Sequence, residues 1–202
     1  MVASAEGSDV VNVTPLAIAG CFRAESPVWG DDRGFFREWF KAPDLSAAGV
    51  TFHAQQANLS FSARNVVRGL HYSLADEGQA KTVTCVGGTL VDVLVDIREG
   101  SPTFGVVELV ELVAEQGTTV YLASGVAHGF CVTSETASLA YLLSSPYNPE
   151  KELEINPFDA EIAIPWPLTG EALVSPKDAA APTLATRRDA GELPVFQPSS
   201  SL

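Results

Sequence analysis

Cysteine is scarce in this 202-residue sequence, and the few cysteines lie far apart. They are Cys21, Cys85 and Cys131, and no two of them form a Cys-x-x-Cys pair. An odd number of widely spaced cysteines is weak evidence for a disulfide framework or a zinc site. Cys85 and Cys131 lie in apolar runs, so we expect both to be small residues of the core.

Positive charge is also scarce. Lys and Arg total 12 against 25 Asp and Glu, which gives a formal net charge of -13. Proteins that bind nucleic acid or anionic membranes present clusters of Lys and Arg, so we expect neither partner here. An anionic ligand would need the few basic residues to be placed deliberately, which makes any Arg or Lys beside a pocket informative.

Long apolar runs and a recognisable leader are missing as well. No run approaches the length of a membrane span. Residues 1–9 are small and acidic, without the basic and apolar regions of a signal peptide, so we expect a cytoplasmic protein. The length and the hydrophobic fraction of 46% suit one domain of ordinary size. We predict a single domain over residues 1–184 and a C-terminal tail over residues 185–202.

Short apolar, β-branched runs separated by turn signals fill the middle of the chain. This spacing of about 8–12 residues predicts an all-β sandwich or barrel. Within residues 90–97 the acids Asp92 and Asp96 alternate with apolar residues, which predicts one apolar face and one face that carries the acids. The runs cover residues 82–86, 90–97, 106–113, 118–122, 129–133 and 137–143.

The flanking regions are less regular. We expect an edge strand within residues 11–18, a strand over residues 33–40 and a short helix over residues 43–48 that Gly49 ends. Residues 156–184 are rich in Pro, Ala and Ser in their later part, and we interpret them as turns and short helices packed on the barrel.

One of the three histidines has neighbours that suit catalysis. His71 lies in Arg68-Gly69-Leu70-His71-Tyr72, and Lys81 begins the next predicted strand. A base, a cation and an anion-binding arginine within fourteen residues form a functional combination. His128 lies in a glycine-flanked turn, where close approach of a ligand is possible, and we expect a structural role for His53.

No His-x-His pair occurs in the chain. Barrels of this kind often hold a metal ion through two histidines two residues apart, together with a Glu and a later His. Three scattered histidines can in principle meet in space, but the sequence gives no support for it. We therefore predict no catalytic metal and no cofactor.

Nine motifs in order along the chain carry a resemblance to a known family. They are Asp32-Arg33-Gly34-Phe35-Phe36, Arg68-Gly69-Leu70-His71-Tyr72, Gly78-Gln79-Ala80-Lys81, Val91-Asp92-Val93 with Asp96-Ile97-Arg98, Ser101-Pro102-Thr103-Phe104-Gly105, Val126-Ala127-His128-Gly129-Phe130, the Tyr141 strand, Tyr147-Asn148-Pro149-Glu150 and Ile164-Pro165-Trp166-Pro167. From about Val13 to Pro182 the sequence resembles the dTDP-4-dehydrorhamnose 3,5-epimerases, a family that includes dTDP-4-keto-6-deoxyglucose 3-epimerases.

The resemblance implies a cupin-type jelly-roll barrel with a few short peripheral helices. It also implies a homodimer that exchanges N-terminal strands and a dTDP-linked 4-keto-6-deoxyhexose as substrate. The implied reaction inverts carbon 3, and in some members also carbon 5, beside the sugar ketone.

The resemblance also assigns roles to single residues. His71 matches the base that removes the proton beside the ketone, and Asp178 matches the carboxylate that orients it. Lys81 matches the cation that stabilises the enolate oxygen, and Tyr141 matches the acid on the opposite face. Arg33 and Arg68 match contacts to the diphosphate. Six further positions match pocket or nucleotide contacts, some of them facing the partner subunit's site: Phe36, Glu38, Gln56, Asn58, His128 and Tyr147.

Two positions depart from the family pattern, and two other functions stay open. Arg37 stands where many relatives are expected to have an uncharged residue, and Gln55 beside Gln56 leaves open which glutamine faces the pocket. A cupin 3,4-ketoisomerase would use the same sugar nucleotide, but it need not have an acid on the opposite face. A non-catalytic sugar-nucleotide-binding cupin would have lost the base or the acid, and fold alone does not decide between them.

Overall fold

The computed structural model describes residues 11–76 and 78–198. Residues 1–9, considered above for a leader, and the last four residues of the predicted tail lie outside the described residues. Short helices flank the strands at α1 (Ala42–Ala47), α2 (Pro176–Ala179) and α3 (Leu184–Asp189). The strands are β1 (Asn12–Pro15), β2 (Phe22–Glu25), β3 (Trp29–Asp31), β4 (Gly34–Phe36), β5 (Gln56–Ala63), β6 (Val66–Ser73), β7 (Lys81–Gly87), β8 (Thr89–Val95), β9 (Val107–Val113), β10 (Thr118–Leu122), β11 (Ala127–Val132), β12 (Thr136–Leu143), β13 (Glu152–Glu154) and β14 (Leu173–Val174).

Two sheets form the body of the molecule. The first has the order β1-β2-β10-β7-β12-β5, and the second has the order β13-β6-β11-β8-β9, with β14 added parallel to β6. Strands β3 and β4 form a separate hairpin. Strands distant in sequence, such as β7 and β12, pair in antiparallel fashion, as in a jelly roll. The predicted all-β class is confirmed, and the fold is a cupin-type jelly roll with short peripheral helices.

The largest apolar cluster fills the space between the two sheets. Val83 and Leu139 point inward from the first sheet, and Leu90, Leu94 and Leu112 point inward from the second. The alternation of side chains along each strand places these residues on one face. Cys85 belongs to this cluster and Cys131 is buried as well, which confirms both as core residues.

Each sheet is also covered on part of its outer face. Helix α1 has Pro43 in its first turn, ends before Gly49 and packs Leu45 with Phe52 against the first sheet. The C-terminal segment covers the second sheet, where Ile155, Leu184 and Leu193 are buried. The boundary predicted at residue 184 therefore falls where α3 packs onto the barrel.

Strand β8 of the second sheet is largely buried on both faces. The face of β8 that carries Asp92 does not form a polar surface, because Asp92 is fully buried between the two sheets. Asp96, just beyond β8, is fully buried too and is bound by Arg98.

The strand expected over residues 33–40 is shorter in the structure, since only Gly34–Phe36 pair, in a two-stranded hairpin.

Candidate active site

A pair of adjoining cavities lies between the sheets, and three side chains line both of them: His71, Lys81 and Tyr141. His71 comes from β6 of the second sheet, whereas Lys81 and Tyr141 come from β7 and β12 of the first. The predicted base and the predicted acid therefore stand on facing sheets. A substrate between the sheets would have one of these groups on each side.

An irregularity in β6 brings Arg68 and His71 to the same cavity. Arg68 is the partner of Phe130 on β11 and His71 is the partner of His128, so β6 has one more residue than β11 between these pairs. Such a bulge changes the direction of the following side chains. Gly69 is required there, because a Cβ on it would lie 2.6 Å from the Cα of Gly129.

Asp178, on helix α2, holds His71 in place. Its Oδ1 lies 2.8 Å from Nε2 of His71, and the backbone N–H of Gly69 donates to its Oδ2 at 3.4 Å. Ser175 caps α2 by accepting from the N–H of Asp178, which fixes the carboxylate on the first turn. Burial alone would raise the pKa of Asp178, but the hydrogen bond and charge of His71, together with hydrogen bonds from Gly69 and Ser175, outweigh burial and lower the pKa.

The His71–Asp178 pair has the form of a base with its orienting carboxylate. With Nε2 donating its hydrogen to Asp178, Nδ1 of His71 is left as the nitrogen that can accept a proton. The His71 side chain is 41% exposed, whereas that of Asp178 is 6% exposed. The base is thus open to a ligand and its partner is shielded from water.

Lys81 is buried beside this base. Burial lowers the pKa of Lys81, and the charges of Glu152 and Asp92 oppose that shift. None of the described residues accepts a hydrogen bond from Lys81 by the usual geometric criteria. Its donors are therefore available for an oxygen atom placed in the cavity, where low polarity strengthens such a contact.

Three of the other predicted contact residues form one group at the mouth of the cavity. Asn58 and Tyr147 line it. Gln56 binds both of them, since its Nε2 donates to Oδ1 of Asn58 at 3.0 Å and its Oε1 accepts from the N–H of Tyr147 at 2.9 Å. Of the two neighbouring glutamines, Gln56 is therefore the one joined to the cavity wall. Arg68 lines the adjoining cavity and donates to Ser62.

The remaining predicted residues lie apart from the cavity of their own chain. Arg33 and Phe36 belong to the β3–β4 hairpin, and neither lines the cavity that contains His71. The Arg33 side chain is 89% exposed and pairs with Asp31 of the same hairpin. Glu38 is exposed and pairs with Lys41. His53 is also exposed and lies outside the cavity.

Sequence reasoning missed several polar residues of the cavity. Glu152 and Glu154 of β13 line it, and Glu152 accepts from Nε2 of Gln79 at 2.9 Å. Lys177, beside Asp178, pairs with Glu154. Glu152-Leu153-Glu154 is a two-residue alternation, and this pattern was the signal that could have placed both acids on one face.

The second cavity histidine also has an aspartate partner. Nε2 of His128 lies 2.6 Å from Oδ1 of Asp92, and both side chains are at least nine-tenths buried. The described residues contain no group of three or more His, Cys, Asp or Glu side chains arranged to hold a metal ion. In the same part of the chain no helix is long and apolar enough to cross a membrane.

Comparison with known proteins agrees with this geometry. Residues 15–186 match the model of the dTDP-4-dehydrorhamnose 3,5-epimerase family. A dTDP-4-dehydro-6-deoxyglucose 3-epimerase of Streptomyces sp is 44% identical over 91% of this chain and 94% of the relative. A dTDP-4-dehydrorhamnose 3,5-epimerase of Mycolicibacterium smegmatis is 41% identical over 90% of each.

A solved structure is similar over the same length. NovW, a 4-keto-6-deoxy sugar epimerase from the novobiocin biosynthetic gene cluster of Streptomyces spheroides, superposes with a TM-score of 0.88 at 44% identity. The superposition covers 92% of this chain and 94% of NovW. The family model and both relatives span nearly the whole chain, and the chain belongs to the dTDP-4-dehydrorhamnose 3,5-epimerase family.

Proposed function

We propose that the chain inverts carbon 3 of dTDP-4-keto-6-deoxyglucose, as a step in deoxysugar biosynthesis. The observation that carries the proposal is the placement of His71 and Tyr141 on facing sheets around one cavity. Inversion requires removal of a proton from one face of a carbon and return from the other. A base and an acid on opposite walls supply both steps without moving the sugar.

The first step is proton removal by His71. Its Nδ1 takes the proton from carbon 3, and Asp178 stabilises the imidazolium that forms. The electron pair of the broken C–H bond forms a double bond between carbons 3 and 4, and negative charge develops on the ketone oxygen. Lys81 stabilises that oxygen. Stabilisation of developing charge by a donor that is already in position is usually the largest single contribution to catalysis.

The second step is proton return by Tyr141. A phenol is protonated at neutral pH and can donate to carbon 3 from the first sheet, after which the ketone re-forms. Solvent restores the proton on the phenolate. The proton on carbon 5 is also alpha to the carbon-4 ketone, so loss of that proton gives an enolate between carbons 4 and 5. Once the sugar turns to bring carbon 5 to His71, inversion there uses the same two groups.

We also propose that the active unit is a homodimer in which N-terminal strands are exchanged. The β3–β4 hairpin leaves Trp29, Phe35 and Phe36 exposed, and the edge strand β5 leaves Leu59 and Phe61 about 70% exposed. Apolar patches of this kind are typical of interfaces. Arg33 of the partner subunit would then join Arg68 at the diphosphate, and Phe36 or Tyr147 would stack on the thymine.

Deuterium exchange tests the reaction. The protein is incubated with dTDP-4-keto-6-deoxyglucose in deuterated water, and the sugar is followed by NMR. Deuterium at carbon 3 supports the proposal, and additional deuterium at carbon 5 identifies a double epimerase. A sugar whose ketone moves to carbon 3 would identify a 3,4-ketoisomerase. Binding without any exchange would identify a non-catalytic protein.

Paired variants assign the base in the same assay. His71→Ala should abolish exchange. Among the described residues at this wall, His71 is the one exposed base that is paired with a buried carboxylate. His53→Ala is the matched control, since His53 is an exposed histidine outside the cavity, and it should exchange at the wild-type rate. Full exchange by His71→Ala would refute the assignment.

A further inference from the structure

Asp92 is a carboxylic acid buried in a place where a charge is costly. It lies on β8 between Leu90 and Leu94, which face the apolar cluster between the sheets, and its side chain is fully buried. Burying a carboxylate costs several kcal/mol unless it is paired and hydrogen-bonded. Oδ1 of Asp92 binds His128, but Oδ2 is buried and has no hydrogen-bond partner among the described residues.

Asp96, four residues further on, shows what a buried carboxylate with a purely structural role looks like. Arg98 donates to both of its oxygens at 2.8 Å, and the hydroxyl groups of Ser101 and Thr103 each donate to Oδ2 at 2.6 Å. Every oxygen of Asp96 is thus satisfied. Asp92 differs because one of its oxygens is left without a partner, beside the wall of the cavity.

Asp92 binds His128, and His128 lines the same cavity as Lys81. Burial of Lys81 favours its neutral amine, and Asp92 and Glu152 are the two carboxylates that oppose this effect. A neutral amine would stabilise an enolate oxygen far less than an ammonium group does. Besides Asp92 and Glu152, the titratable and charged groups that line the cavities with Lys81 are Arg68, His71, His128, Tyr141, Tyr147, Glu154 and Lys177.

We propose that Asp92 is a positioning residue for epimerisation, acting through two groups of the cavity at once. Its Oδ1 fixes His128 with the hydrogen on Nε2, and its negative charge keeps Lys81 in the ammonium form. Asp92 does not touch the sugar, because no part of it is exposed to the cavity. This inference rests on the proposed epimerase function and adds to it the source of the charge on Lys81.

The variant Asp92→Asn separates charge from shape. The asparagine oxygen still accepts from Nε2 of His128, so the main loss is the negative charge. We expect kcat to fall while KM changes little. We also expect the alkaline limb of the kcat–pH profile to move to lower pH by about one unit, because Lys81 then loses its proton more readily. The acid limb, which reports protonation of the general base, should move less.

Asp96→Asn is the matched control, because it removes a second buried carboxylate from the same chain segment. Asp96 binds Arg98, Ser101 and Thr103 and does not line the cavity. This variant should lose thermal stability and keep the wild-type alkaline limb. A purely structural role for Asp92 predicts that both variants lose stability and that neither moves the limb, and that result would overturn the inference.

The wild-type protein supplies a measurement that does not depend on the folding of any variant. The carboxyl carbon of Asp92 can be followed by 13C NMR during a pH titration, and the inference requires this group to be ionised at neutral pH. Among the chain's four lysines, Lys41, Lys81, Lys151 and Lys177, the Lys81 Cε signal should report an ammonium at neutral pH. A protonated Asp92 or a neutral Lys81 would overturn the inference.

The two proposals fail in different ways. If wild-type protein exchanges no deuterium into the sugar, the epimerase function itself is wrong. If wild-type protein exchanges normally and Asp92→Asn has the same kcat and the same pH profile, only the role given to Asp92 is wrong.

Discussion

His71 and His128 lie directly opposite each other on β6 and β11, and each binds a different aspartate through Nε2. The pairs differ in access, since the His71 side chain is 41% exposed and that of His128 is 9% exposed. A base must reach the proton that it removes. Exposure therefore assigns proton transfer to His71 and leaves His128 as part of the cavity wall.

The Asp178→Asn variant tests the partner of that base. The asparagine keeps the size of the side chain but cannot balance the charge of the imidazolium, so kcat should fall by about 10²–10⁴-fold. The epimerisation rate at saturating substrate measures this effect, and circular dichroism checks the fold. A variant with wild-type kcat would show that Asp178 is only a structural contact of Gly69 and α2.

Tyr141→Phe tests the acid on the facing sheet. Proton removal by His71 does not need the phenol, whereas return from the first sheet does. The variant should therefore keep exchange of the original proton while the inverted product forms much more slowly. NMR follows both events in one sample of deuterated water. Equal loss of exchange and of inversion would contradict the role of Tyr141 as the acid.

The site residues that could be predicted from the sequence alone are those that lie close together along the chain. His71, Arg68 and Lys81 lie within fourteen residues, and alternation in the strands predicts the barrel that joins them. The core cysteines, the short helix α1 and the central strands follow from the same local patterns. Asp178 was assigned only through the family resemblance, because its pairing with His71 spans 107 residues.

The burial of both faces of β8 could not be predicted from its sequence. Alternating acids in a strand usually mean a solvated face, and only the packing of the C-terminal segment on one side and the first sheet on the other buries both faces of this strand. The same long-range packing brings Glu152 next to Gln79. Neither the packing on the two faces of β8 nor the contact between Glu152 and Gln79 has a short-range signal in the sequence.

Arg68→Ala tests binding of the diphosphate within one chain. Charge-assisted hydrogen bonds contribute about 1.5–3 kcal/mol, so KM should rise by about 10- to 100-fold with a smaller change in kcat. Arg64→Ala is the matched control, since Arg64 is exposed and donates to the carbonyl of Thr133 rather than lining the cavity. Equal effects of the two variants on KM would point to a general charge effect.

Arg33→Ala tests whether the hairpin serves the neighbouring subunit. Arg33 lies outside the cavity of its own chain, so an Arg33→Ala chain and a His71→Ala chain should each be poorly active alone. Mixed together after exchange of subunits, they should regain activity, because one site per mixed dimer then has both intact residues. Without such recovery, Arg33 does not act across the interface.

Acid should weaken the fold through its buried carboxylates. Burial alone would raise the pKa of Asp96, but hydrogen bonds from Arg98, Ser101 and Thr103 outweigh it and lower the pKa. The pKa of Asp178 is lowered as well. A carboxylate whose folded-state pKa is depressed contributes stability above its unfolded value, about 3.9, and loses it as pH falls through the folded value. The free energy of unfolding should therefore decrease below about pH 5.

The Asp96→Asn variant assigns part of that acid sensitivity to one residue. Breaking a buried ion pair by removing one partner costs about 3–5 kcal/mol near neutral pH. Since asparagine does not titrate, the variant should also lose less stability than wild type between pH 5 and pH 3. Urea unfolding at both pH values measures the two differences. If the variant and the wild type have the same pH dependence, the acid sensitivity comes from other carboxylates, because only a group with different pKa values in the folded and unfolded states changes that slope.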